Sequence, residues 1–175
     1  ALLVSEEQAD AARDVLAQNA PDGLNHEQAT SYQQFVWDFL LFAGLAARAT
    51  GKPMSEAYWE RMEAMLEYVA AIMDAGGNVP LFGDADDGRV SGLSLGANGC
   101  PFQSQLATGA LLFSNPALAR KAGIVDLRTR WLLGREACAA FDSLLLQAVP
   151  ATSRTDFPQG GVYALGANLD TPDEF

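Results

Sequence analysis

The chain has 175 residues, 49% hydrophobic and 19% charged, which is ordinary globular composition and enough for one hydrophobic core. Its 22 acidic side chains outnumber 11 Lys and Arg for a net charge of -11, which argues against a nucleic-acid partner and disfavours a highly sulfated glycan, since both need clustered basic groups. No uninterrupted apolar run approaches the roughly 20 residues that span a bilayer, so membrane insertion is not expected.

In chain order, Ser5-Glu6-Glu7-Gln8 has the capping-box arrangement and predicts a helix to about Gln18, packing through Val15 and Leu16. Asn19 to Gly23 breaks it, and a second helix is predicted from about Glu27 to Thr50, stopped by Gly51 and Pro53. At this helical spacing Gln28 and Tyr32 share a face continued by Phe35, Phe39 and Phe42, a polar mouth on a buried apolar stem. Ser55 is the next N-cap, and Tyr58, Met62, Met65, Leu66, Val69, Ile72 and Met73 form a stripe that reads as core packing and ends at Gly76-Gly77. Residues 78–101 are rich in Gly, Asp and Ser without a sustained period and read as a long irregular loop, a candidate cleft wall.

A short helix follows over Gln103 to Phe113, and another starts with Asn115 as N-cap and Pro116 as its first residue. One or two more lie between Asp126 and Gln147, around Gly134. Beyond Pro150 the composition changes, and Gly161-Val162-Tyr163-Ala164-Leu165 reads as a single strand. Successive helices without an internal repeat make the chain mainly α with a short C-terminal β-strand.

Cys100 and Cys138 have no metal-like spacing and read as unrelated thiols, and neither a metal nor a cofactor is expected. Asp84-Ala85-Asp86-Asp87-Gly88 begins like a calcium loop, but the twelfth position is Leu95 where a bidentate Glu belongs. An acidic turn lining a cleft through Asp86 or Asp87 fits better, with Arg89 among the basic residues able to line it. His26 is the sole histidine, and it reads first as a solvent-exposed residue before a helix, second as a substrate contact. Glu27 suits a first helical turn through the macrodipole, and Gln28 suits capping; both stand one turn before Ser31 and Tyr32, where they can orient the Tyr32 ring. From the residues alone, Tyr32 anchors the start of its helix with its hydroxyl in water. No nucleophile-elbow, P-loop or dinucleotide motif occurs.

With Asp22-Gly23, Glu27-Gln28-Ala29-Thr30-Ser31-Tyr32 and the apolar run behind them, the chain resembles the heparinase II/III-like polysaccharide lyases. Further matches in the same order are Ala57-Tyr58-Trp59, Gly83 to Gly88, Arg130-Trp131-Leu132-Leu133-Gly134 and Phe157-Pro158-Gln159-Gly160-Gly161-Val162-Tyr163. The resemblance implies that residues 1–150 are part of an (α/α) toroid of antiparallel helix pairs. It makes residues 151–175 a linker and the start of a β-sandwich domain, so that the chain is a fragment of a longer enzyme. It further implies β-elimination on an acidic, uronate-containing polysaccharide, with Tyr32 as catalytic base and acid and His26, Glu27, Gln28, Asp86, Asp87 and Arg89 near substrate. The family's Asn-His pair, which neutralises the substrate carboxylate, is then expected upstream of this chain rather than at Asn25-His26. Two other readings stay open: a toroid glycoside hydrolase using Asp84 and Asp87, and a non-catalytic glycan-binding helical protein.

Overall fold

Asn115, ahead of Pro116, turns its side-chain oxygen back onto the N–H groups of Ala117 and Leu118, and Asp126 does the same for Thr129 at 2.9 Å. Such local caps set much of the helical pattern. The structure, a computed structural model, describes residues 14, 16–85, 88–93, 99–147, 154–166 and 171. It is mainly helical with a small two-stranded sheet. The helices are α1 (Thr30–Ala49), α2 (Glu56–Ile72), α3 (Pro101–Phe113), α4 (Pro116–Ala122), α5 (Leu127–Ala139) and α6 (Phe141–Leu145). Before α1, residues 16–18 are also helical, while the expected capping box at Ser5 and the contact of Val15 lie outside the described residues. The strands are β1 (Asp156–Phe157) and β2 (Val162–Tyr163).

By its internal contacts the chain divides into two units, the boundary falling within α2 between Met65 and Leu66. The first unit gathers residues up to Met65, Leu81–Val90 and Phe157–Val162. Here α1 and the first half of α2 run antiparallel, since later residues of α1 meet earlier residues of α2. The Trp37 indole N–H donates to the Met62 carbonyl at 3.0 Å, and the Tyr58 hydroxyl donates to the Leu40 carbonyl at 2.6 Å. Gly44 permits this approach, because a Cβ there would lie 2.5 Å from the Trp59 ring. The Arg48 guanidinium sits 4.8 Å over that same ring, a cation–π contact.

The second unit holds Leu66–Pro80, Ser91–Asp156 and Tyr163–Phe175. Its core is Leu66, Tyr68 and Val69 of α2, Phe102, Leu106, Ala107 and Ala110 of α3, Leu118 and Ala119 of α4, and Phe141 and Leu144 of α6. Gly109 is forced to be small, since a Cβ there would come within 2.0 Å of Leu66 Cδ1. The hydroxyls of Thr108 and Thr129 bond each other at 2.8 Å, satisfying two buried polar groups where α3 meets α5. In α5 the backbone is non-helical at Gly134 (φ 81°), the break expected there.

Three expectations need correction. Helix α1 begins at Thr30 rather than near Glu27, so Glu27 and Gln28 belong to the turn before it, and Gln28 takes a left-handed φ of 50°. Phe35 and Phe39 are not a buried stem, being 38% and 59% exposed; the inward face carries Trp37, Leu40, Leu41 and Gly44. The single strand over Gly161–Leu165 is instead the two-residue β2, paired with β1 across a tight turn. The expected boundary at residues 150 and 151 lies outside the described residues.

Trp37→Ala should cost about 3–5 kcal/mol in denaturant unfolding, while Phe39→Ala, which empties no interior space, should cost under about 1 kcal/mol. Equal costs would contradict the assigned inward face. Burial also pushes the Tyr68 phenol from its ordinary 10.0 up to about 12, and pushes Tyr58 up as well. A folded-state value above the unfolded one gives stability that is fully present below pH 10 and is lost as pH rises toward 12. Stability to denaturant should therefore fall as pH rises through that window, and Tyr68→Phe should reduce the fall; a stability that does not change across the window would contradict it.

Candidate functional site

The site lies within the first unit and is built on a loop, residues 19–29, that carries an unusual number of buried polar side chains. Asn19, Asp22 and Asn25 are all nearly inaccessible, and each has a structural partner. Asn19 and Asn25 form an antiparallel bridge, closed further by Asn25 Nδ2 donating to Asn19 Oδ1 at 3.3 Å. Gln33, on the inward side of the first turn of α1, reads the loop with both ends of its carboxamide. Its Oε1 accepts from Asn25 N at 2.8 Å, and its Nε2 donates to the Gly23 carbonyl at 2.8 Å. Gly23 (φ 93°) has no alternative, since a Cβ would fall 2.1 Å from the Ala64 carbonyl oxygen.

The loop is gripped from two other places in the same unit. One carboxylate oxygen of Asp22 accepts from the backbone N–H groups of Gln159 and Gly160 at 2.7 and 3.0 Å, and Gln28 Nε2 donates to the Gly160 carbonyl at 3.0 Å. Gly160 lies against Leu24, where a Cβ would approach to 2.4 Å. Residues 82–84 strap the start of α1: Thr30 N donates to the Phe82 carbonyl at 3.1 Å, Phe82 N to Thr30 Oγ1 at 3.3 Å, and Ser31 Oγ to the Asp84 carbonyl at 2.6 Å.

Beside this frame opens a cleft of about 240 Å³ lined by Glu27, Ser31, Tyr32, Phe35, Val36 and Gly88. Phe35 and Val36 give it an apolar floor, and Glu27 and Tyr32 put a carboxylate and a phenol at its edge. Neither of those two side chains has a hydrogen-bond partner among the described residues. The cleft is thus a concave, partly apolar surface with a carboxylate and a phenol among its lining groups.

The sequence-selected residues distribute unevenly around it. Tyr32, half-buried, and Glu27 line the cleft together. Gln28 is spent on the Gly160 carbonyl. His26 is exposed and not among the lining residues, its backbone N–H donating to the Gln18 carbonyl at 3.0 Å. Arg89 is exposed and likewise does not line the cleft, although its neighbour Gly88 does. Asp86 and Asp87 lie outside the described residues. Ser31, Val36 and Gly88 were not singled out from sequence as cleft residues, and Phe35 was assigned to the interior. Among the described residues no group of three or more His, Cys, Asp or Glu is placed to hold a metal ion, and no helix is long and apolar enough to cross a membrane.

No protein-family model, curated protein or solved structure matches the chain.

Asp22→Ala should destabilise the first unit by about 1–3 kcal/mol, because it takes the acceptor from the N–H groups of Gln159 and Gly160, the latter buried. A stability within about 0.5 kcal/mol of the parent would show that solvent replaces the carboxylate at no cost.

Proposed function

We propose that the chain is the part of a heparinase II/III-like polysaccharide lyase that carries its tyrosine, and that its helices belong to a partial (α/α) toroid. The observation carrying this reading is the pairing of Tyr32 and Glu27 at the edge of one apolar-floored cleft, next to a loop fixed by buried hydrogen bonds. A proton-transfer group must be held at a constant position, and Tyr32 stands in the first turn of a helix that is strapped in place.

In this reaction the Tyr32 oxygen removes the C5 proton of a uronate. The electron pair left on C5 becomes the C4–C5 double bond, the bond from C4 to the glycosidic oxygen breaks, and the tyrosine hydroxyl returns a proton to that oxygen. The group that neutralises the uronate carboxylate is contributed, in this reading, from outside these 175 residues. A glycoside hydrolase needs two facing carboxylates; among the described residues Glu27 is the carboxylate that lines the cleft, and Asp87 lies outside them.

The gene product that contains this chain should convert uronate polymers into unsaturated uronates with ultraviolet absorbance. Tyr32→Phe should lower turnover by about 100-fold or more with KM within a few-fold, since the ring stays and only the proton-carrying oxygen goes. Reducing ends without the chromophore would overturn the lyase in favour of a hydrolase. Polymer binding with no products at all would favour a non-catalytic glycan-binding protein.

A further inference from the structure

Helix α1 carries two seams on opposite sides, each with the spacing of a coiled coil, and the described residues cover one of them. Gln33, Trp37, Leu40, Gly44 and Ala47 recur at alternating intervals of four and three and are all buried; Trp37, Leu40 and Gly44 among them meet α2. The second seam, Tyr32, Phe35, Phe39, Phe42, Ala46 and Ala49, recurs at alternating intervals of three and four along the same 20-residue helix. Phe35 and Phe39 are 38% and 59% exposed, Tyr32 and Phe42 are half-buried, and Ala46 and Ala49 are exposed. None of the six is charged, and a helix apolar on both sides is the pattern of one that packs on both. The two ends of the open seam carry opposite charges. Glu27 stands in the turn before α1 and Lys52 just past its end; both are exposed, and neither side chain has a partner among the described residues. Arg48, the other cation near that end, is seated over Trp59 on the opposite side of the helix.

We infer that the open seam is the interface between two copies of this chain, paired antiparallel through α1. The seam sets its own register. In an antiparallel pair the two kinds of seam position meet each other, and the register of greatest overlap places Phe39 against Phe42, Phe35 against Ala46 and Tyr32 against Ala49 of the second copy. Rings then meet rings at the centre and small residues toward each end, the interdigitation that close packing requires. The same register brings Lys52 of the second copy alongside Ala29, next to Glu27, and the two-fold axis repeats this pair at the other end. A parallel pair would set Glu27 beside Glu27 and align the two helix dipoles, unfavourable on both counts. Because the second copy lies over Tyr32 and Phe35, pairing closes the cleft of each copy. One helix pair of this length buries under about 1,200 Å² in total, the range of weak and reversible association. The inference rests on the seam and its end charges, not on the lyase reading.

Sedimentation equilibrium of the 175-residue chain from about 1 μM to about 1 mM should show monomer passing into dimer and no further, with a dissociation constant on the order of 10–100 μM. Phe39→Ala removes the most exposed ring of the seam from both copies without emptying the core, and should weaken pairing about 100-fold while the circular dichroism of the fold is unchanged. Glu27→Lys and Lys52→Glu each make both end pairs repulsive and should each weaken pairing about tenfold. The double reversal restores opposite charges across the interface and should return the affinity to within about threefold of the parent, a recovery that a merely structural role of either residue would not produce. Added salt should shrink these differences. A chain that stays monomeric up to about 1 mM would leave the seam to a different partner and overturn the inference. Pairing that Phe39→Ala leaves unmoved, or a double reversal no better than the single ones, would overturn it as well. So would assemblies that grow past two copies, which belong to a head-to-tail contact without a two-fold axis.

Discussion

The carboxamide of Gln33 is the contact on which the site depends. One buried side chain accepts from Asn25 and donates to Gly23, and so fixes the loop against the helix that carries Tyr32. Buried amides are costly unless every donor and acceptor is met, and here the demand is met only if the loop takes this one path. Asn19, with its backbone carbonyl bonded by Arg61, closes the loop from behind, and Asp22 extends the same arrangement to the turn at Gly160. Specific geometry, more than net stability, is what such a network confers.

That geometry explains why a polar loop and an apolar helix make a cleft rather than a flat surface. The turn at Gln28, with its positive φ, lifts Glu27 out of the helical path and sets it at the edge of a surface formed by Tyr32, Phe35 and Val36. Gln28 keeps that turn in place by reaching the Gly160 carbonyl, so a residue that looks like a substrate contact acts as a support. Phe35, which faces away from the interior, is thereby part of the cleft surface, a place that core packing does not give it.

Much of the helical pattern was legible in the sequence because its signals are local. Asn115-Pro116, Asp126, Ser55 and the break at Gly134 each act within a few residues, and each stands where it was read. The start of α1 was not legible, because its cap is not local. Ala29 has no side chain to offer, and Thr30 is bonded instead by Phe82, 52 residues away. The orientation of α1 was equally hidden, since an almost wholly apolar helix presents two candidate stripes. The stripe of Phe35 and Phe39 obeys the period as well as that of Trp37 and Leu41, and the choice falls to the Trp37 and Gly44 contacts with α2. Tyr32 and Glu27 are read as candidates from the order of motifs, whereas the apolar surface beside them follows only from the turn of the helix.

The buried amide network holds the cleft. Amide hydrogen exchange tests it most directly, read at Asn25, Gln159 and Gly160 in the parent chain and in Gln33→Met, which keeps the volume and removes the carboxamide. These amides should exchange as slowly as the core of α1 in the parent, and should all accelerate together with Glu27 in the variant while the middle of α1 stays protected. Rapid exchange at Asn25 and Gly160 in the parent, or a variant in which only Asn25 responds, would contradict it.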